Sequence, residues 1–384
     1  MRRLGLAAAL LAALAGASAC TKKQSGDVIR VGTVGSLTGS EATFGSNTAR
    51  GVEMAAKEIN AAGGLKRPGE AQGKRIEVVS VDDRGKPEEA ALAVRRLVSE
   101  SRVSLIIGEN ASSISLAMAP IAQENKIPMI SPTSTNPQVT KVGDYVFRVC
   151  FIDPFQGTVM AQFAAKDLKL KRVAILRDVK SDYSVGLANF FTDTFKKAGG
   201  EIVADLSYSG GDVDFKAQLT ALRARKPEAV FVPGYYTDAG LIARQAKELG
   251  LNVPLLGGDG WDSAKLTEIG GEAMNGNYFS NHYSAENPDP AIQKFIGDFK
   301  AAHGQVPDSV AVLGYEAMKL YADAYARAKD TTTAGLRESI AATKGFRAVT
   351  GEFSFDENRN PRKAAVVLKV EGGKFKYQTS VGPQ

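Results

Sequence analysis

Short apolar runs alternate with amphipathic stretches along most of this chain. "VIRVGTVGSL" (28–37) reads as a buried strand. From Thr48 to Asn60, Val52, Ala55, Ala56 and Ile59 recur at helical spacing, and Gly63-Gly64 closes the helix. The series continues with a strand at 75–83, a helix from Pro87 to Val98, a strand at 103–108, a helix from Ser115 to Asn125, and strands at 127–131 and 145–150. It then restarts: helix 155–168, strand 172–178, helix 184–198, strand 201–208, helix 214–225, strand 228–234, helix 237–249 and strand 253–259. Two such series without an internal repeat predict an α/β protein of two doubly wound lobes. After residue 278 "GNYFSNHYSAE" breaks the rhythm. Helices at 291–303, 309–328 and 333–343 follow, with short strands near 351–355 and 364–370. A tail of that length predicts that the chain crosses between lobes more than once.

Ligands on open α/β sheets sit beyond the carboxyl ends of the strands. That rule selects six loops: Ser36 to Gly45, Gly108 to Ser113, Ser131 to Asn136, Asp178 to Tyr183, Gly234 to Thr237 and Gly257 to Trp261. The third lies in "ISPTSTNP" (130–137), where Ser131 is followed by three hydroxyls and an amide crowded between Pro132 and Pro137. Such residues make turns. They can equally cradle a small anion.

The first nineteen residues stand apart from this pattern. Arg2 and Arg3 precede an apolar run, Leu4 to Leu14, which is too short for a bilayer-spanning helix. Small residues lead to Cys20. The segment reads as an export signal, and "ASAC" resembles a bacterial lipobox in which Cys20 is lipidated. Ala17 stands where that motif usually has Leu, so plain secretion is the alternative. Residues 20–27 then form a polar tether. Loss of 1–19 removes two of the 48 basic residues and leaves +4 against 42 acids. The charge is dispersed, which argues against nucleic acid as a partner. Cys150, in "YVFRVCF", reads as a small buried hydrophobe.

Enzyme motifs are missing. "GTVGSLTG" does not have dinucleotide-binding spacing, and neither a phosphate-binding G-x-x-x-x-G-K-[ST] loop nor G-x-S-x-G occurs. His282 and His303, the only histidines, read as surface or helix residues, so no cofactor or metal is expected. The strand-end loops instead offer donors and one acid. Ser112 and Ser113 precede a helix, where backbone N–H groups attract anions. Thr135 can donate as well. Tyr183 and Tyr235 have flat faces that can cover a cation. Asp259 lies between glycines. Donors on one lobe and an acid with aromatics on the other suit a zwitterion.

"GSLTGSEATFGSNTARGVEMAAKEINAAGGL", "IIGENASSISLAMAPIA", "IPMISPTSTNP", "FRVCFIDPFQG", "DFKAQLTALRARKPEAVFVPGYYTDAGLIARQAKELGL" and "VTGEFSFDENRNP" together give the chain, from about Val28 onward, its resemblance to the leucine/isoleucine/valine-type substrate-binding proteins of ABC importers. That resemblance implies the type I Venus-flytrap fold, with three crossings near 150–153, 278–282 and 356–359. It implies a first lobe of 28–151 plus 280–356 and a second of 152–279 plus 357–384. It implies a monomer that takes an amino acid or related molecule and hands it to an ABC permease. It places the carboxylate-binding serine on Ser112 and the cradle on Thr133 (through backbone) and Thr135. Tyr183 and Tyr235 fall near the ammonium, Asp259 becomes its acid, and Phe44 closes one side. Two departures stand out: Asp259 falls where leucine binders have Glu, and Phe44 where they have Tyr or Trp. Trp261 is placed beside the side-chain pocket. A sensor of the same fold for amides or other small carboxylates is the alternative function.

Overall fold

The computed structural model describes residues 28–383; the signal, Cys20 and the tether lie outside them. Ten strands come first: β1 (Val28–Gly35), β2 (Arg75–Asp82), β3 (Leu105–Ile107), β4 (Met129–Ser131), β5 (Val146–Arg148), β6 (Arg172–Asp178), β7 (Glu201–Tyr208), β8 (Ala229–Phe231), β9 (Leu255–Gly257) and β10 (Tyr278–Asn281). The C-terminal part adds β11 (Phe346–Ala348), β12 (Gly351–Phe353), β13 (Ala365–Glu371) and β14 (Lys374–Val381).

Two large sheets result, and β11 and β12 pair separately as an antiparallel hairpin. The first has the order β2-β1-β3-β4-β5 and is parallel throughout. The second runs β14-β13-β10-β9-β8-β6-β7. It is parallel from β10 to β7 and closes with two antiparallel strands. Short central strands such as β3, β4, β8 and β9 are buried throughout, as expected when helices cover both faces. Cys150 is fully buried among the apolar residues of the first sheet.

The last third of the chain serves both sheets. The helices Ser309–Arg327 and Thr333–Ala341 and Phe353 of the hairpin β11–β12 pack into the first core, together with Phe147 and Val149. β13 and β14 then return to the second sheet. A buried ion pair, Lys363 Nζ to Glu316 Oε2 at 2.6 Å, ties the returning segment to the helix Ser309–Arg327. Lys363 also donates to the carbonyl of Val149.

The short helices Gln138–Lys141 and Ala264–Gly270 and the strand β11 were not anticipated by the sequence reading, and neither were β10 and β14. "GNYFSNHYSAE" contains β10, whose polar Ser280 and Asn281 are buried and whose backbone pairs with β9 and β13. β14 is an edge strand with many exposed positions, so its apolar signal is weak. Its sequence cue is Gly372-Gly373, both at positive φ in a two-residue hairpin turn.

One helix contact sets the position of a cleft wall. The helix Ala42–Ala61 crosses Ser309–Arg327 at paired glycines. A Cβ on Gly314 would stand 2.6 Å from the carbonyl of Thr48, and one on Gly51 would collide with the carbonyl of Ala311. Gly51→Val should therefore force the helices apart. We expect a loss of about 1–3 kcal/mol in chemical denaturation. An unchanged midpoint would show that this crossing tolerates added volume.

Candidate functional site

All six selected loops converge on one small cavity. Phe44, Asn110 and Thr133 line it beyond β1, β3 and β4; Tyr183, Tyr235, Asp259 and Gly260 line it beyond β6, β8 and β9. Ser309 and Val310, at the start of a helix from the C-terminal third, complete the wall. The sequence reading missed these two and Asn110. Asn110 lay within a selected loop. The helix-starting aspartate Asp308, which accepts from Ala311 N, marked where Ser309 would begin a helix. Of the sequence-predicted residues, Phe44, Thr133, Tyr183, Tyr235 and Asp259 meet in the cavity wall, whereas Ser112 and Thr135 stand outside it.

The hydroxyls of 131–135 mostly fasten the loop itself. Ser131 Oγ and Ser134 Oγ donate to the carbonyl of Glu109 at 2.7 and 2.9 Å, and Thr133 Oγ1 donates to Asn110 Oδ1 at 2.9 Å. The fully buried Arg148 donates to the carbonyls of Ser134 and Asn136. Ser112 Oγ accepts from Asn136 N at 3.2 Å. Thr135 Oγ1 is buried with no partner. The N–H groups of Thr133 and Thr135 find no acceptor among the described residues, and neither do those of Ser112 and Ser113. The first side of the cleft thus offers backbone donors on a clamped frame.

Asp259 is the only carboxylate in the wall, and no cation lines it. Its Oδ1 accepts from Tyr183 OH at 2.9 Å, and its N–H donates to Gln156 Oε1 at 2.8 Å. Each carboxylate oxygen keeps a lone pair for a further donor. Tyr183 and Tyr235 stack at 5.4 Å beside it, and Phe44 meets Tyr235 edge-on.

His282 is not the surface residue that the sequence suggested. It directly follows β10, is buried, and stacks on Phe151 at 3.9 Å. Its Nε2 lies 3.0 Å from Asp259 Oδ2, and its Nδ1 has no partner. That pattern fits the tautomer with the proton on Nε2, which donates to the aspartate. Trp261 is likewise corrected. It does not line the cavity; it is fully buried, donates to the carbonyl of Val232 at 3.1 Å and packs near Phe279 in the second core.

The two sides touch around the cavity. Ser113 Oγ accepts from Asp182 N, Asn136 Nδ2 donates to the carbonyl of Asp182, and Thr237 Oγ1 donates to the carbonyl of Ser40. Thr43 and Ser263 share a hydrogen bond, and Ser309 N donates to Asp262 Oδ2. Like charges meet there as well. Burial, then Asp238 on the opposite side, pushes Glu41 up to about 8. Burial, then Asp262 opposite, pushes Asp308 up to about 7. Asp238 itself is pushed up to about 7 by burial and by Asp178.

Among the described residues no three His, Cys, Asp or Glu side chains are placed to hold a metal, and no helix is long and apolar enough to cross a membrane.

Residues 28–374 match the periplasmic binding protein family. The chain belongs to that family. Among its curated relatives is the leucine-, isoleucine-, valine-, threonine- and alanine-binding protein of Pseudomonas aeruginosa, 31% identical over 91% of each chain. A leucine-binding protein of Thermotoga maritima superposes with a TM-score of 0.87 at 39% identity, over 92% of this chain and 99% of that one. A branched-chain amino acid transporter substrate-binding protein of Streptococcus pneumoniae, solved with isoleucine, gives 0.86 at 34%, over 93% and 100%. The fold of this binding protein is the two-lobed α/β fold of those structures.

The raised carboxylates make stability depend on pH. Glu41 moves from an ordinary 4.5 to about 8. Between those values the folded protein holds a proton that the unfolded chain has released, so stability falls as pH rises through that window. Glu109 and Asp153, each pushed up to about 8 mainly by burial, act in the same direction. The thermal midpoint should fall from pH 6 to pH 9. Glu41→Gln should raise it at pH 9 and change it little at pH 5. A wild-type midpoint that rises over this range would contradict the assignment.

Proposed function

We propose that this periplasmic binding protein captures an α-amino acid between its lobes and delivers it to the permease of an ABC importer. The observation that carries this is the asymmetry of the cavity: one carboxylate, no cation, and unpaired N–H groups on the opposite side. Asp259, with Tyr183 and Tyr235 beside it, holds the ammonium. The backbone of Thr133 and Thr135 and the helix start at Ser112 receive the carboxylate, where N–H groups and the helix dipole favour an anion. Phe44 and Val310 pack against the ligand's carbon chain. This is binding without turnover.

The relatives serve transport, which favours the importer over the sensor reading. The lobes are 28–151 with 280–356 and 152–279 with 357–384, and the three linking segments act as a hinge. Contacts such as Ser113–Asp182 and Ser40–Thr237 then close the cleft over ligand. The protein acts as a monomer.

Asp259→Asn keeps the shape and removes the charge that an ammonium needs. Breaking a buried charge pair typically costs about 3–5 kcal/mol, and each 1.4 kcal/mol is about tenfold in affinity. Calorimetric titration with the best amino acid should show at least about a hundredfold weakening. A folded Asp259→Asn protein that binds within about threefold of wild type would mean that no ammonium sits there, and the amino-acid reading would fall.

The export signal and "ASAC" support cleavage after Ala19 and lipidation of Cys20. Two acyl chains hold a protein on a membrane where one does so only marginally. Cys20→Ser should move the protein from the membrane to the soluble extracytoplasmic fraction. An unmodified Cys20 in the mass spectrum of the native protein would refute the anchor.

A further inference from the structure

The cavity contains a polar group that neither end of an α-amino acid requires. Asn110 is 6% exposed and lines the wall near Phe44 and Val310. Its Oδ1 accepts from Thr48 Oγ1 at 3.0 Å and from Thr133 Oγ1 at 2.9 Å. Each hydroxyl has only one other acceptor in reach, the carbonyl of Val310 for Thr48 and of Asn110 itself for Thr133, both at 3.4 Å. The shorter pair fixes the amide with its oxygen toward the threonines. The NH2 group is then left at the cavity wall, and Asn110 Nδ2 has no partner among the described residues.

A buried donor left unpaired costs about 1–3 kcal/mol. A branched aliphatic side chain against Asn110 would leave this amide unpaired. A hydroxyl or carboxamide oxygen would pair it. Sites built to hydrogen-bond a ligand group discriminate strongly against the analogue that lacks it. We propose that Asn110 is a specificity-determining residue that donates to an acceptor on the ligand's side chain, so that this protein prefers α-amino acids with uncharged polar side chains over their aliphatic isosteres. The inference rests on reading the cavity as an amino-acid site.

Isosteric pairs give the cleanest test. Threonine and valine differ by a hydroxyl for a methyl, and asparagine and leucine by a carboxamide for an isopropyl group. Calorimetric titration of the purified mature protein should show the polar member of at least one pair bound about tenfold or more tightly than its partner. Asn110→Leu should reverse that preference. Asn110→Ala, which adds no volume, should abolish it if the leucine variant does not fold. Valine and leucine binding as tightly as threonine and asparagine in wild type would overturn the proposal. So would an equal loss for both members of each pair in the variants, which would place Nδ2 on the carboxylate common to all four. Those two outcomes leave the amino-acid reading intact. Absence of binding by all four, and by every other amino acid tried, would instead sink that reading and this inference with it.

Discussion

The cleft depends on a charge placed where water cannot reach it. Arg148, at the end of β5, is fully buried and forms no direct ion pair among the described residues. It donates to the carbonyls of Ser134 and Asn136. The carbonyl of Ser131 accepts from Val149 N, and that of Thr135 accepts from Asp153 N. Every one of those oxygens is drawn to the protein side of the loop. A guanidinium is suited to this work because its planar fork carries several fixed donors. With four of its carbonyls committed, the segment keeps the N–H groups of Thr133 and Thr135 and the Thr135 hydroxyl without a partner among the described residues. A surface of backbone donors is thus produced without a cation in the cavity wall. The positive charge lies one layer behind, and the backbone relays its orientation.

The opposite side is organised by the same logic with the sign reversed. Asp259 is held by Tyr183, by the N–H to Gln156 and by His282, none of which need carry charge. Neutral donors fix the carboxylate without neutralising it, so its attraction for a cation is kept. A lysine or arginine in the place of His282 would have consumed the charge that the site needs.

Much of this was legible in the sequence, for a physical reason. Alternating strands and helices confine ligand contacts to strand ends, so naming the strands named the loops, and all six reach the cavity. Tyr183, Tyr235 and Asp259 followed from side-chain chemistry within those loops, whereas Phe44 and Thr133 came only from the family resemblance. What escaped has equally physical causes. Ser309 and Val310 arrive on a helix from a distant part of the chain, and local pattern carries no information about which helix faces the cleft. His282 was misjudged because β10 was not seen: the buried Ser280 donates to Gln156, and a strand whose interior positions are polar shows no apolar signature. The hydroxyls of 131–135 were recognised as important, with a turn and an anion cradle both left open, and three of them fasten the loop itself. Sequence shows that donors are present and not which acceptors are nearer.

The second sheet has a consequence for how the protein is made. β10 pairs with β13 in the register Tyr278 to Lys369, and β13 in turn needs β14, which ends at Val381. Until β13 emerges, β10 is an open sheet edge, ready to pair with another chain, and until β14 follows, β13 is. The intervening helices must meanwhile join the first sheet. Neither lobe can therefore mature as a contiguous unit during synthesis, and long-range pairing of this kind is slow. Each sheet's layer is complete only once residues from the last third of the chain have joined it. Premature termination within β13 would leave not a shortened receptor but a molecule with an exposed, adhesive strand.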